Sequence, residues 1–144
     1  DDIQKTVRKI IIDVQKNERA ENRKNVLIYD GQHFPFENKS FDSVVCTYVL
    51  HHTPYPLEVF SEMRRVAKRI IIIEETHSNI FAKLDLIYRD IYVNIRAGQP
   101  SKIHWKSYFK KGELEKLFTK NNLTIVNHHA ERKRTYWKEL FVLE

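Results

Sequence analysis

The stretch "DGQHFPFENKSFDSVVCTYVLHH", Asp30 to His52, decides how the chain folds. It opens on Asp30-Gly31, a turn signal. A short aromatic loop follows, with Pro35 between Phe34 and Phe36. The run from Phe41 to Leu50 is rich in valine and aromatic residues and has the length of a strand. Two adjacent histidines, His51 and His52, close it. Three readings stand open from this stretch alone: a metal or hydrolase site, the rim of a nucleotide-type cofactor pocket, or a piece of core.

The flanking sequence sets the class. Before it, "KIIIDV" and "VLIYD" are short apolar runs bounded by polar residues, and each reads as a buried strand. The segment between them, "QKNERAENRKN", is polar, a loop or an exposed helix, and residues 1–9 read as the polar end of a helix. After it, Pro54 and Pro56 punctuate the chain. "PLEVFSEMRRVAK" carries Leu57, Phe60, Met63 and Val66 at helical spacing. "RIIIIEE" reads as a fourth buried strand. Ser78 or Asn79 can cap the next helix, whose inward stripe is Ile80, Leu84, Ile87, Ile91 and Ile95, ended by Gly98 and Pro100. "KKGELEKLFTKNN" predicts a shorter helix with Leu114, Leu117 and Phe118 inward. "LTIVNHH" and "YWKELFVLE" predict two strands joined too briefly for a helical crossover, hence antiparallel. The expectation is a single α/β domain over residues 1–144: a mostly parallel sheet covered on both faces, with a C-terminal antiparallel hairpin.

Bulk properties narrow the function. The chain of 144 residues is 31% charged and 42% hydrophobic, a globular mixture large enough for a core. No apolar run is long enough to span a bilayer, and "DDIQKTVRK" does not resemble a signal peptide. A single cysteine, Cys46, excludes a disulfide framework and a cysteine-rich zinc site, and fits a reducing, cytoplasmic setting. The net charge of +6 is scattered, as on an ordinary solvated surface, though nucleic acid, anionic lipid or an anionic small molecule would also suit it.

In open parallel sheets, ligands bind beyond the carboxyl ends of the strands. Those ends carry Asp13, then Asp30 with Gly31 and Gln32, then Thr47 and Tyr48 ahead of His51 and His52, then Glu74, Glu75, Thr76 and His77. A carboxylate offers two acceptor oxygens, so Asp13 suits the hydroxyls of a ribose, and Asp30 an exocyclic adenine amine. Each also has a local use, Asp13 as a cap and Asp30 in a turn. Adjacent histidines on an extended strand point to opposite sides, so no metal is assigned to His51 and His52. There is no G-x-S-x-G elbow and no P-loop. Cys46 sits inside an apolar strand as an inert thiol. His128 and His129 are placed near the hairpin bend, solvated. "ERKRTYWK", Glu131 to Lys138, interleaves basic and aromatic residues; it reads as a charged hairpin loop or a segment that stacks bases.

The order Asp30, "FPF", "FD", "LHH" closely resembles the central signature of class I S-adenosylmethionine-dependent methyltransferases of the type 11 kind. "EVFSEMRRVAKRIIIIEE" resembles that family's following helix and strand, "KKGELEKLF" its next helix, "ELFVLE" its last strand and "IIIDV" its second strand. The resemblance covers roughly residues 10–144. It implies a Rossmann-like sandwich and S-adenosylmethionine as cofactor. It implies Asp13 at the ribose, Val14 packed on the adenine, Asp30 at the adenine amine with Gly31 and Gln32 beside it, and Thr47 and Tyr48 flanking the methionine portion. His51 or His77 would orient or deprotonate the methyl acceptor, since histidine titrates near neutral pH. Residues 79–110 would be a substrate-covering insertion, its Ile80, Phe81, Tyr88 and Tyr92 suited to a small apolar or lipid-like acceptor.

The departure from the family matters as much. The family's first strand ends in a glycine-rich loop, whereas the first glycine here is Gly31. That strand lies between the second and fourth, so its absence predicts a central gap with unpaired backbone groups. Three explanations follow: a fragment of a longer protein, a part lost, or a sheet closed by exchange between chains. The functional expectations are a methyltransferase, a methyltransferase-like scaffold without catalysis, or a basic nucleic-acid-binding module.

Overall fold

The computed structural model describes residues 9–14, 26–98 and 102–144. The polar end before Lys9, the polar segment 15–25 and the helix stop at Pro100 lie outside the described residues.

The strands and helices fall in the expected order. β1 is Ile11–Asp13, β2 Val26–Ile28, β3 Phe41–Thr47 and β4 Ala67–His77, with α1 at Pro56–Val66 between β3 and β4. α2 spans Ile80–Arg96, α3 Glu113–Lys120, β5 Ile125–Arg132 and β6 Tyr136–Leu143. Short 3-10 turns sit at Leu50–His52 and Trp105–Ser107. α1 starts at Pro56, whose missing N–H costs nothing in the first turn. α2 is capped by Asn79, whose side chain accepts from Ala82 N at 2.9 Å.

The strands form two sheets rather than one. β1 pairs parallel with β2, three residues each, while β3, β4, β6 and β5 lie in that order in the second sheet. β3 and β4 are parallel; β4–β6 and β6–β5 are antiparallel, so the predicted hairpin is present. Its turn is Lys133–Thr135, closed by Lys133 N to Tyr136 O at 2.8 Å. β5 therefore runs further than "LTIVNHH" suggested, and His128 and His129 are mid-strand, not at the bend.

Among the described residues, a slot lies where the gap was expected. The slot, of about 410 Å³, is lined on one side by Lys9 to Ile12 and on the other by Phe41, Ser43, Val44 and Val45. The edges of β1 and β3 that border it pair with no strand among the described residues. Phe34, Phe36 and Val66 close its floor.

The main core lies on one face of the four-stranded sheet. Val59, Phe60, Met63 and Val66 of α1 and Leu114 and Phe118 of α3 pack on Ile70, Ile72, Phe141 and Leu143. Phe118 meets Phe60 and Phe141 with ring centroids 5.5 and 5.1 Å apart. Leu57, expected inward, is exposed; Val59 takes its place beside Phe60. The opposite face is less covered, and Val45 there is 60% exposed.

α2 differs most from its predicted packing. Of the expected stripe only Ile87 is buried; the inward face is Ala82, Leu86 and Ile87, of which Leu86 and Ile87 join Tyr108 and Tyr136. Ile80, Leu84, Ile91 and Ile95 are exposed, as are Phe81, Tyr88 and Tyr92. The helix is apolar on two sides, and the sheet accepts the side that also carries Asp90. No helix among the described residues is long and apolar enough to cross a membrane.

Candidate functional site

The residues assigned to the adenosine side come together. Asp13 ends β1, and its carbonyl accepts from Tyr29 N at 3.0 Å, bringing the exits of β1 and β2 side by side. Gly31 follows with φ +84, a backbone that L side chains adopt rarely. A Cβ there would stand 3.3 Å from Val14 Cγ1, so Val14 and Gly31 are close neighbours and the glycine permits it. The Asp30 carboxylate organises the turn: Oδ1 accepts from Gln32 N and His33 N, each at 2.7 Å, and Oδ2 lies 3.1 Å from His33 Nδ1. Those backbone donors, with the His33 ring, hold its pKa down at about 2. Both uses foreseen for Asp30 are thus compatible: it shapes the turn as an anion and still faces solvent.

A clamp holds the adjoining aromatic loop. Glu62 Oε2 of α1 accepts from Phe34 N at 2.8 Å. Arg65, one turn on, donates to the carbonyls of Phe36 and Phe34 at 2.7 and 2.9 Å, and to Glu62. The fork of the guanidinium suits two neighbouring carbonyls and a carboxylate at once. "FPF" and "EMRRV" are thus two parts of one unit.

At the far end of β3, Tyr48 takes a left-handed backbone, φ 52, and its N–H donates to Ile73 O at 2.8 Å. The chain there leaves the sheet and enters the 3-10 turn carrying both histidines. In that turn the rings of His51 and His52 lie beside each other, centroids 4.1 Å apart and planes tilted by 47°, instead of pointing apart as on an extended strand.

His51 is buried and sits between two carboxylates. Its Nδ1 is 2.6 Å from Glu74 Oε2 on β4 and its Nε2 is 3.4 Å from Asp90 Oδ2 on α2. Glu74 also accepts from Leu50 N at 2.8 Å, and Asp90 from Tyr108 Oη at 2.7 Å. Burial opposes charging of His51, but the hydrogen bonds and charges of Asp90 and Glu74 outweigh it and push its pKa up to about 10. Burial raises Asp90 too, yet its bonds to His51 and Tyr108 bring it below the usual carboxylate range. His51 is therefore an imidazolium at neutral pH, a cation bridging two anions. His52 is only half-buried, and its pKa is lowered, by burial first and by the charge on His51 second. It is neutral at pH 7 and reachable from solvent.

The two histidines assigned from sequence are not side by side. His77 lies at the end of β4, with Nε2 3.2 Å from Tyr108 O and its N–H donating to Phe109 O at 3.1 Å. Its Nδ1 is buried, with no hydrogen-bond partner in reach among the described residues. Tyr108 is the common neighbour, its ring 5.2 Å from that of His51. Thr47 is exposed, and the Tyr48 ring lies under Lys138 Nζ at 5.3 Å. Glu74, Asp90, Tyr108 and His52 were not assigned roles from sequence. Glu74 and His52 stood among the strand-end residues, but Asp90 falls inside a helical pattern and Tyr108 in a loop, where spacing carries no signal. In "ERKRTYWK", Tyr136 is buried beneath Arg89, and Trp137 lies under Lys111 Nζ.

Residues 3–71 match a family model described as a methyltransferase domain. No curated protein matches the sequence significantly. Among solved structures, a SAM-dependent methyltransferase from Methanosarcina mazei superposes with a TM-score of 0.60 at 18% identity, covering 92% of this chain and 79% of that one. A protein from Pyrococcus horikoshii gives 0.61 at 18% identity, over 94% of this chain and 71% of that one. Geranyl diphosphate C-methyltransferase from Streptomyces coelicolor, solved with Mg2+, geranyl diphosphate and S-adenosyl-L-homocysteine, gives 0.57 at 11% identity, over 83% and 53%.

Proposed function

We propose that this chain is part of an S-adenosylmethionine-dependent methyltransferase: it shares the class I methyltransferase fold, and residues 3–71 match a methyltransferase domain model. The observation that carries the reading is the meeting of Asp13, Val14, Asp30 and Gly31 at one end of the β1–β2 pair. The bound cofactor supplies an electrophilic methyl group for in-line transfer to a nucleophile.

The chain's own residues then bind and position. Asp13 accepts from the ribose hydroxyls, and Val14 packs on the adenine. Asp30 accepts from the adenine amine with the lone pairs its turn leaves open, and Gly31 and Gln32 line that side. Thr47 and Tyr48 flank the methionine portion. His52, neutral and accessible, takes the proton that the acceptor loses. His51, held as a cation by Glu74 and Asp90, fixes the turn that presents it. His77, at the end of β4 beside Tyr108, is the second candidate for that proton.

The central strand and the glycine-rich loop come, in this reading, from polypeptide outside these 144 residues. The open edges of β1 and β3 across the slot support that. The exposed aromatic and aliphatic face of α2 supports a small apolar or lipid-like acceptor. A cytoplasmic setting is in keeping with the one buried thiol, Cys46. One observation favours a scaffold without catalysis instead: no glycine precedes Gly31.

The test uses a chain completed by a central strand and glycine loop. There, Asp13→Asn lowers affinity for S-adenosylmethionine by roughly tenfold to hundredfold, the worth of about 1.5–3 kcal/mol in hydrogen bonds to a charged group. Unchanged affinity removes Asp13 from the ribose. A completed chain that binds the cofactor but methylates no member of an apolar acceptor panel supports the scaffold.

A further inference from the structure

A second cluster of ligating side chains lies apart from the histidine turn, built by the last three elements of the chain. Glu115 of α3, His128 of β5 and Glu139 of β6 each bring one ligand atom into a group whose members all lie within 4.8 Å of one another. His128 Nε2 is 2.9 Å from Glu139 Oε2. The His128 ring lies flat against Phe141, its cross-strand partner, with centroids 4.2 Å apart and planes 9° from parallel. That stacking fixes the plane of the imidazole. The Thr76 hydroxyl donates to Glu139 Oε1, which leaves Oε2 directed at His128.

The cluster is incomplete as a set of protein groups. Glu139 is fully buried, and it is the cross-strand register partner of Glu74, also fully buried, in the β4–β6 pair. Glu115 Oε2 is buried, and no donor among the described residues reaches it. A buried carboxylate oxygen without a donor is costly and rare in folded proteins. One imidazole can give one proton from Nε2, and Glu139 already takes that position.

We infer that Glu115, His128 and Glu139 bind a divalent first-row transition metal ion, with zinc the preferred occupant. One imidazole nitrogen and two carboxylate oxygens make a mixed set that suits zinc better than magnesium or calcium, which favour oxygen alone. Three protein ligands leave a fourth position for water, and the side chain of His128, 31% exposed, marks the solvent side. Thr76 serves as the outer partner that orients a ligating carboxylate. The ion would tie α3 to both strands of the hairpin. The other histidine-bearing group, His51, His52 and Asp90, is the poorer site. There both ring nitrogens of His51 already face carboxylates, and Asp90 is engaged by Tyr108. The inference does not depend on the methyltransferase reading.

Calorimetric titration of the metal-free chain with zinc chloride tests it, alongside visible spectra of the cobalt(II)-loaded chain. The expected result is one saturable site per chain, weakened at least tenfold in His128→Ala and in Glu115→Gln and unchanged in His52→Ala. Glu115 is only partly buried on α3, so Glu115→Gln keeps the fold, checked by circular dichroism. Absence of saturable binding overturns the site. So does binding that survives both His128→Ala and Glu115→Gln, or that is lost in His52→Ala.

Discussion

At the residue scale, His51 and His52 are adjacent in sequence and opposite in state. The cation at His51 neutralises two anions in a buried place, so His51→Ala leaves Glu74 and Asp90 uncompensated. We expect a loss of about 3–5 kcal/mol in urea unfolding. The pH dependence has a definite sign. The folded pKa of His51 is raised from 6.5 to about 10, so its contribution is fully present below pH 6.5 and disappears as pH rises through about 10. Wild-type stability should fall across that window, and the fall should be missing in His51→Ala. Imidazole resonances followed by NMR check the same point: His51 stays protonated at pH 8 and His52 does not. The sequence singled out His51 because it follows a strand end. It did not reveal the charge state, because Asp90 lies on a helix 39 residues further along and only the folded chain brings it near. Arg65 makes the complementary case. Its place in "EMRRV" was recognisable, but its grip on the carbonyls of Phe34 and Phe36 was not. Arg65→Lys keeps the charge and loses the fork, and should cost about 1–3 kcal/mol in the same unfolding assay.

At the element scale, periodicity identified every helix and every strand among the described residues, because buried strands are short and β-branched and the helices carry regular apolar spacing. α2 marks where that logic ends. A helix with two apolar sides satisfies the same periodicity in either orientation. What selected the buried side was Asp90 meeting His51 and Tyr108, and hydrophobicity carries no information about that. The orientation makes an expectation that separates it from the alternative. Phe81→Ser and Tyr88→Ser should each change stability by under about 0.5 kcal/mol, because both side chains are exposed. Leu86→Ala, on the buried side, should cost about 2–5 kcal/mol. Thermal and urea unfolding of the three variants decides it.

At the scale of the whole molecule, the described residues form two sheets that border a slot between β1 and β3. The lack of a glycine-rich loop in the sequence already implies that gap, since a central strand cannot be removed from a parallel sheet without leaving two open edges. The slot's walls, Lys9 to Ile12 and Phe41 to Val45, required the fold. A pair of three-residue strands is marginal by itself, whereas β4 is paired along both edges. Amide exchange should therefore be far faster at Ile11–Asp13 and Val26–Ile28 than at Ile70–Ile73. The proposed adenosine side of the cofactor site sits on that weak pair, so filling the slot and binding cofactor should reinforce each other. The direct measurement is calorimetric titration with S-adenosylhomocysteine of two proteins: these 144 residues, and the same chain extended at its N-terminus by a strand and a glycine-rich loop. Clear binding by the extended chain, with binding by the shorter one weaker by two orders of magnitude or more, is the predicted result. Equal affinity of the two chains, or no binding by the extended one, would contradict the account.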